Sequence, residues 1–495
     1  MTSAPAATRP LQFVLDGEVI CIEDPAPTMT VLQYLRDVAG RCGTKEGCAE
    51  GDCGACTVVL GERTDAAGIH YSAINACIRF LPTLDGRELV TVESLSGPGG
   101  APHPVQSAMI DLHAAQCGFC TPGFVMSLFG LYLNQPAPDR DAVTLSLSGN
   151  LCRCTGYRPI IDAGLAMGNY PAPQRWSRED AQSADRRAKL DGMASAGPLR
   201  SRGYSAPRNV DELADEYAAS PESLLLAGGT DIGLWVTQSL RELPPLIWLG
   251  DIDALRRIES REGGLWIGAA VTLTEAWPAL LTQYPELAEQ TERFASTPIR
   301  NSATLCGNLA NGSPIGDSLP AMLALDALLD LRCGSNTRQL PLAQFYLDYR
   351  RTALQPGEFV QGVLVPLRNT DDLVASYKIA RRQDQDISAV SVTFRIRRAG
   401  TRVIEARLAF GGMAATAKRA AATEQALTGA EWSLEAIRTA QSALTLDFAP
   451  LSDLRASSAY RLEVAAAVLE RFYRESTGEA VRLPTTPLDP AELAP

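Results

Sequence analysis

The chain has 495 residues, 46% hydrophobic and 21% charged, a globular balance that argues against disorder, collagen or coiled coil and leaves room for three or four domains. Lys plus Arg is 45 against 57 for Asp plus Glu, so the net charge of −12 offers no basic surface for nonspecific nucleic-acid binding. No apolar run approaches the ~18 residues that span a bilayer, and residues 1–10, rich in Ala, Pro and Thr, lack the apolar stretch of a secretory signal. A cytoplasmic location without membrane association is the expectation.

In chain order, residues 11–15 read as a strand, Asp16-Gly17 as a hairpin turn and residues 19–22 as the returning strand. Thr30 is placed to cap a helix through Leu32, Leu35 and Val38 that ends near Gly40. Residues 57–60 read as a strand again. From about Val92 the period becomes helical. Pro104 opens a helix carrying Val105, Met109 and Leu112. Pro122 opens another with Phe124, Leu128 and Leu131, and a third follows Pro159. Residues 171–203 hold many charges and few large apolar groups, and read as a solvated linker or an exposed helix. Beyond Tyr204 the pattern is mixed. Residues 224–226 form a buried-strand run. Val390, Val392, Phe394 and Ile396 alternate with polar residues on a face expected to be solvated, and Ile404, Ala406, Leu408 and Phe410 repeat the period. Helices are expected over 431–444 and 454–474.

Cysteine carries the chemistry. Eight of the 12 cysteines fall between Cys48 and Cys154, whereas the chain has only three histidines. A reducing compartment turns such a dense set toward metal ligation before disulfides. Cys48, Cys53 and Cys56 have the C-x4-C-x2-C spacing of a plant-type 2Fe-2S loop, with Cys77 as fourth ligand. Gly47, Gly51 and Gly54 permit the close wrap and leave N–H groups free for sulfur. A zinc site or redox dithiol is the alternative, although only one C-x2-C knuckle is present. Cys117–Cys120 is a C-x2-C and Cys152–Cys154 a C-x-C, each placed near a helix start, where free N–H groups favour thiolate charge. Chemistry alone leaves this second set open between Zn(Cys)4 and a second cluster. Cys21, Cys42, Cys306 and Cys333 are scattered, and most read as buried thiols. Leu225 to Ile232 ends a strand in Gly228-Gly229, which would let backbone amides approach a pyrophosphate, or make an ordinary tight turn. No G-x-G-x-x-G occurs, so a Rossmann site is not supported. Residues 300–317 form a second stretch of small polar groups, either a cofactor wrap or a surface loop.

Together these features resemble the molybdenum hydroxylases, the xanthine dehydrogenase/aldehyde oxidase family, over nearly the whole chain. The segments that carry the likeness are 47–57, 116–123 (Gln116-Cys-Gly-Phe-Cys-Thr-Pro-Gly123) and 149–157 (Gly149-Asn-Leu-Cys-Arg-Cys-Thr-Gly-Tyr157). The resemblance implies an α+β multidomain chain. Its parts would be a β-grasp 2Fe-2S ferredoxin domain (9–91), a helical-bundle 2Fe-2S domain (92–170), a linker (171–203), a vanillyl-alcohol-oxidase-type FAD domain (204–370) and an α+β C-terminal subdomain (371–482). It implies clusters on Cys48, Cys53, Cys56 and Cys77 and on Cys117, Cys120, Cys152 and Cys154. By position it assigns FAD contacts to Leu225, Leu226, Ala227, Gly228, Gly229, Thr230, Asp231 and Ile232, to Phe294, to Thr304, Leu305, Cys306, Gly307 and Asn308, and to Asp317, Val360 and Lys378.

Gln116 matches a residue near the molybdopterin of the family's next domain. Cys306 stands where the family commonly has Gly, and Leu347-Asp348 where vertebrate members have Pro-Gly, near the expected nicotinamide side. The chain stops at Pro495, where several hundred residues of molybdopterin domain would follow. The resemblance therefore implies the iron–sulfur/FAD subunit of a split bacterial member, paired with a molybdopterin-binding large subunit in a dimer of heterodimers. The partner would oxidise hypoxanthine and xanthine to urate. Electrons would then pass through the second cluster, the first cluster and FAD to NAD+, with no catalytic acid, base or nucleophile needed in this chain. An aldehyde or other N-heterocycle hydroxylase, a stand-alone NADH-dependent reductase and a non-redox zinc-binding interaction protein are the competing readings.

Overall fold

The computed structural model describes residues 9–64, 68–135 and 137–479. The Ala/Pro/Thr-rich start and the expected boundary at 482 lie outside these. Strands β1 (Leu11–Leu15), β2 (Glu18–Ile22), β3 (Thr57–Arg63), β4 (Ile69–Asn75) and β5 (Glu88–Val90) form one sheet in the order β2-β1-β5-β3-β4. Only β1 and β5 run parallel, the pairing of a β-grasp. Asp16 (φ 54°) and Gly17 (φ 91°) make the two-residue turn whose twist matches the flanking strands. Thr30 caps the helix as expected, its hydroxyl accepting from the Gln33 N–H (3.1 Å) while the Gln33 side chain accepts from the Thr30 N–H (2.9 Å). That helix passes from α (Val31–Gln33) to π (Tyr34–Val38) and buries Val31, Leu32 and Leu35 under the sheet.

Helices Pro104–Asp111, Thr121–Asn134 and Arg158–Ala166 appear where the prolines place them, each with Pro in its first turn. A fourth helix, Arg140–Leu147, was not legible, since only Val143 and Leu147 of its eight residues are buried. His103 caps the first of these helices through Nδ1, and its ring lies edge-on to Phe129 and Tyr132 at 5.3 and 4.8 Å.

Residues 171–203 are not a solvated linker. They contain helices Arg178–Ala181 and Ala184–Ala194, and Trp176 is fully buried in the helical core with Leu190 and Met193. The Gln182 amide pairs with both the N–H (2.8 Å) and the C=O (2.7 Å) of Ile69, as an added strand would at the sheet edge. Several of the charges that suggested solvent are paired. Arg186 stacks 3.7 Å from the Trp176 ring centre and bridges buried Glu88 (2.6 Å) and Asp180 (3.0 Å).

Beyond this belt, strands Leu199–Ser201, Tyr204–Ala206, Leu246–Trp248 and Leu224–Leu226 form a four-stranded sheet. Strands Ile258–Arg261, Gly264–Gly268, Phe359–Pro366, Leu328–Cys333 and Asn336–Pro341 form a five-stranded one. A third sheet, Asp372–Ile379, Val390–Ala399, Arg402–Gly411 and Lys418–Arg419, packs on helices Ala421–Leu427, Leu434–Asp447 and Ser458–Ser476. The expected solvated face of its second strand is buried instead. Ser391 and Thr393 are fully enclosed, with Ser391 accepting from Gln290 (2.9 Å) and Thr393 sharing a hydrogen bond with Ser376 (2.9 Å). Ile404 does not continue the inward face. It is the unpaired residue of a β-bulge between the pairs Arg397↔Glu405 and Arg398↔Val403, so it is exposed and Val403 is buried in its place. Among the described residues no helix is long and apolar enough to cross a membrane.

Candidate cofactor sites

The loop between the first helix and β3 brings Cys48, Cys53 and Cys56 to Cys77, which follows β4. Cys48 is within hydrogen-bonding reach of Cys53 and Cys77, and Cys56 of Cys77. The N–H groups of Glu50 (3.4 Å) and Cys53 (3.3 Å) also point at the Cys48 sulfur. Bonds from Cys53 and Cys77 hold the Cys48 thiol far below its usual value, and a bond from Cys77 lowers Cys56 against the effect of burial, while Cys53 and Cys77 are pushed up as the donors. Thiol donors thus face thiol acceptors, and because metal ligands are thiolates an incoming cation would release the protons these groups hold. A Cβ at Gly47 would sit 2.8 Å from the Cys53 sulfur, so glycine there keeps the cradle open.

The second set repeats this economy. Cys117 meets Cys154, and Cys120 meets Cys152. The Phe119 N–H, with Cys154, lowers Cys117. Burial and the bond to Cys152 push Cys120 up to about 12. Burial opposes the fall at Cys152, but bonds from the Thr155 hydroxyl and amide outweigh it, and Cys154 is raised as the donor to Cys117. Cys120 is the N-cap of helix Thr121–Asn134, so the first pair does sit at a helix start, although the Cys120 thiol is raised there. Cys152 and Cys154 lie in irregular chain four to six residues before helix Arg158–Ala166, and their donors are local side chains and amides instead. Among the described residues no three His, Cys, Asp or Glu side chains close around a single ion-sized point. The second set meets two by two, Cys117 with Cys154 and Cys120 with Cys152, whereas the first runs from Cys53 through Cys48 and Cys77 to Cys56.

The two cysteine loops abut. A Cβ on Gly54 (φ 69°) would lie 2.1 Å from the Gly149 carbonyl, and one on Gly123 would lie 2.2 Å from the Gly54 carbonyl. The Leu151 N–H, next to Cys152, donates to the Cys53 carbonyl (3.0 Å), and Asn150 donates to the Gly54 carbonyl (3.1 Å).

A cleft of about 440 Å³ opens between the four-stranded and five-stranded sheets that follow residue 198. Of the expected residues, Leu225, Ala227, Gly228, Gly229, Thr230, Asp231 and Ile232 line it from one side, Thr304, Cys306, Gly307 and Asn308 from another, and Val360 from the wall. Thr304 uses its hydroxyl to cap helix Leu305–Asn311, accepting from the Gly307 N–H (3.0 Å). Cys306 sits in the first turn of that helix with ordinary helical backbone. Its thiol is pushed up by burial and faces the Ile267 carbonyl (3.6 Å), so the Gly-to-Cys difference costs no strained φ. Burial also raises the Asp231 carboxyl, partly offset by Arg350, and Asn311 donates to it (2.8 Å).

Leu226 and Leu305 point into the core instead. Phe294, Asp317 and Lys378 are not on the cleft surface. Phe294 packs on Trp277 (6.0 Å). Asp317 and Lys378 form a buried ion pair, with Ser388 donating to Asp317 (2.6 Å) and Ser318 linking back to Asn308 (2.5 Å). Tyr217, Trp235, Arg241, Arg350 and Phe359 line the cleft unannounced, because no spacing rule marks residues gathered from separate elements. Gln116 lies exposed beside Cys117.

The cleft and the first cysteine loop share a wall. A Cβ on Gly233 would meet the Ile78 carbonyl at 2.5 Å, and Gln238 donates to the Cys48 carbonyl (2.9 Å).

Four family descriptions match the chain in order: a 2Fe-2S iron-sulfur cluster binding domain over 13–80, a 2Fe-2S binding domain over 91–165, a FAD binding domain in molybdopterin dehydrogenase over 199–368, and a CO dehydrogenase flavoprotein C-terminal domain over 375–476. Xanthine dehydrogenase of Emericella nidulans is 31% identical over 94% of this chain and 38% of its own length, and that of Drosophila subobscura 32% identical over 86% and 36%. The chain thus spans less than two fifths of these relatives. Among solved structures, carbon monoxide dehydrogenase from Hydrogenophaga pseudoflava aligns at TM-score 0.51 and 28% identity over 54% of this chain and 94% of the other. Quinoline 2-oxidoreductase from Pseudomonas putida 86 aligns at 0.50 and 26% over 55% and 95%. With both iron–sulfur domains, the flavin domain and its C-terminal companion in this order, the chain belongs to the molybdenum hydroxylase family as its electron-transferring 2Fe-2S/FAD module.

Proposed function

We propose that Cys48, Cys53, Cys56 and Cys77 hold one 2Fe-2S cluster, that Cys117, Cys120, Cys152 and Cys154 hold another, that the cleft holds FAD, and that the chain serves a xanthine-oxidising hydroxylase. The observation that carries this is the continuity of the three sites. The second cysteine loop packs on the first through Gly54, Gly123 and Asn150, and the first packs on the cleft through Ile78 and Gly233. When bound, the clusters supply one-electron and the flavin two-electron chemistry. The chain's own residues orient and insulate. Amides aimed at the Cys48 sulfur favour its charge, the Gly228-Gly229 turn brings backbone against a diphosphate, and Val360 with Phe359 closes the cleft wall.

Cys117 and Cys154 are exposed, so the second site is the one presented to a partner, which we take to be a molybdopterin-binding subunit beside Gln116. NAD+ as acceptor and a dimer of heterodimers follow from the same reading, as do the boundaries 9–91, 92–170, 204–370 and 371–482. The reading also keeps Phe294, Asp317 and Lys378 as FAD contacts, beside a cleft whose lining does not include them. The name of quinoline 2-oxidoreductase among the similar structures supports a second reading, hydroxylation of another N-heterocycle.

Anaerobically purified protein is expected to carry four irons and one FAD per chain and to show two distinct EPR signals on reduction. Zinc without iron, or fewer than four irons with all thiols intact, overturns the proposal. Turnover of the copurified complex on xanthine, an aldehyde and quinoline, with NAD+ or a dye as acceptor, decides the substrate and acceptor.

A further inference from the structure

Between Cys152 and helix Arg158–Ala166 the chain closes a small ring of hydrogen bonds. The Cys152 N–H donates to the Tyr157 hydroxyl (3.0 Å), the Tyr157 N–H donates to the Thr155 hydroxyl oxygen (3.2 Å), and that oxygen lies 3.2 Å from the Cys152 sulfur. The Thr155 N–H also points at this sulfur, at 3.5 Å. Tyr157 reaches this position with φ 69°, a left-handed backbone that an aromatic residue rarely adopts.

A hydroxyl has one proton and two lone pairs. With the Tyr157 N–H directed at the oxygen, the proton is left for the sulfur. Once Cys152 is bound to metal as a thiolate it has no proton to give, so Thr155 is the donor. The first site has no hydroxyl counterpart among the described residues. Its Cys48 sulfur receives the Glu50 and Cys53 backbone amides, and Cys56 receives the Asn75 side-chain amide at 3.9 Å.

We propose that Thr155, aimed by Tyr157, is a positioning residue that raises the reduction potential of the second cluster through its hydroxyl bond to Cys152. Hydrogen bonds to ligand sulfur stabilise the more negative, reduced form, and they are among the features that set cluster potentials. The inference rests on the reading that Cys117, Cys120, Cys152 and Cys154 hold a cluster. It adds that a hydroxyl donor at only one of the two clusters helps to set them apart in potential.

The test is an EPR-monitored redox titration of the full chain as purified, comparing wild type with Thr155→Val, Thr155→Ala and Thr155→Ser. In the Val and Ala variants one signal is expected to shift to a lower midpoint by about tenfold in its reduction equilibrium, ~59 mV for one electron. In Thr155→Ser that midpoint returns to the wild-type value, and the other signal stays in place throughout. An unmoved midpoint in the Val and Ala variants at full signal intensity overturns the inference alone, as does an equal shift of both signals. Wild-type protein with only one iron–sulfur signal defeats the cluster reading and the inference with it.

Discussion

Gly228→Ala tests the cleft most directly. The Cβ it adds would lie 2.2 Å from the Ser302 carbonyl oxygen and 2.7 Å from the Ala303 Cα. Comfortable contact begins near 3.5 Å, so the two strands of backbone must part by about 1 Å. Neither neighbour is the end of a flexible side chain. Both precede Thr304, which anchors the opposite wall of the cleft, so the displacement falls on the cavity itself. Overpacking of this kind costs about 1–3 kcal/mol, which is ~5- to ~150-fold in flavin affinity if the cost is borne by the bound state. The measurement is a fluorescence titration of flavin-stripped protein with FAD. Iron content and the reduced EPR spectrum serve as internal controls for the rest of the chain, and both are expected to be unchanged. Full flavin occupancy with a dissociation constant within twofold of wild type would refute the placement of the diphosphate loop against Ser302.

Cys152→Ser is expected to remove one of two EPR signals and to stop electron flow from substrate to NAD+, while NADH-driven dye reduction survives; equal loss of both activities counts against the order of sites. Trp176→Ala empties a fully enclosed socket in the helical core and is expected to destabilise the iron–sulfur half by about 3–5 kcal/mol in calorimetry, with FAD binding unaffected. His103 is held down to about 4 by burial, against the Trp176 carbonyl near its Nε2, so it is neutral when folded. Below its usual value near 6.5 the unfolded chain binds a proton that the folded chain refuses, and stability falls with pH, by about 3 kcal/mol at pH 4. His103→Asn keeps a capping side chain and is expected to flatten this part of the urea-midpoint profile; an unchanged slope between pH 6.5 and 4 refutes it.

The cysteine spacing was legible because a compact inorganic core constrains sulfur positions within a few residues, and the glycines around it followed from the same geometry. Helices opened by Pro104, Pro122 and Pro159 were legible because proline acts locally. Residues 171–203 were not, since composition reports charge but not its partner. Arg186 lies against Trp176 and Glu88, and Arg178 over the Tyr132 ring at 4.3 Å, so the arginines here pack like core residues. Ser391 and Thr393 misled for the opposite reason, since small hydroxyls are as content inside as outside once Gln290 and Ser376 answer them. At the cleft, the Gly-Gly turn and Thr304 segment could be read from the chain. Trp235, Arg241 and Arg350 could not, because only the meeting of separate elements places them there. Phe294, Asp317 and Lys378 came from matching by position, and they do not line this cleft.

Ile78 belongs to two rooms at once. Its peptide continues from a sulfur ligand on one side, and on the other its carbonyl presses where Gly233 has no side chain to object. The two sites therefore do not take their shapes independently, because anything that displaces Cys77 also displaces the carbonyl against which the start of helix Ile232–Thr237 is seated.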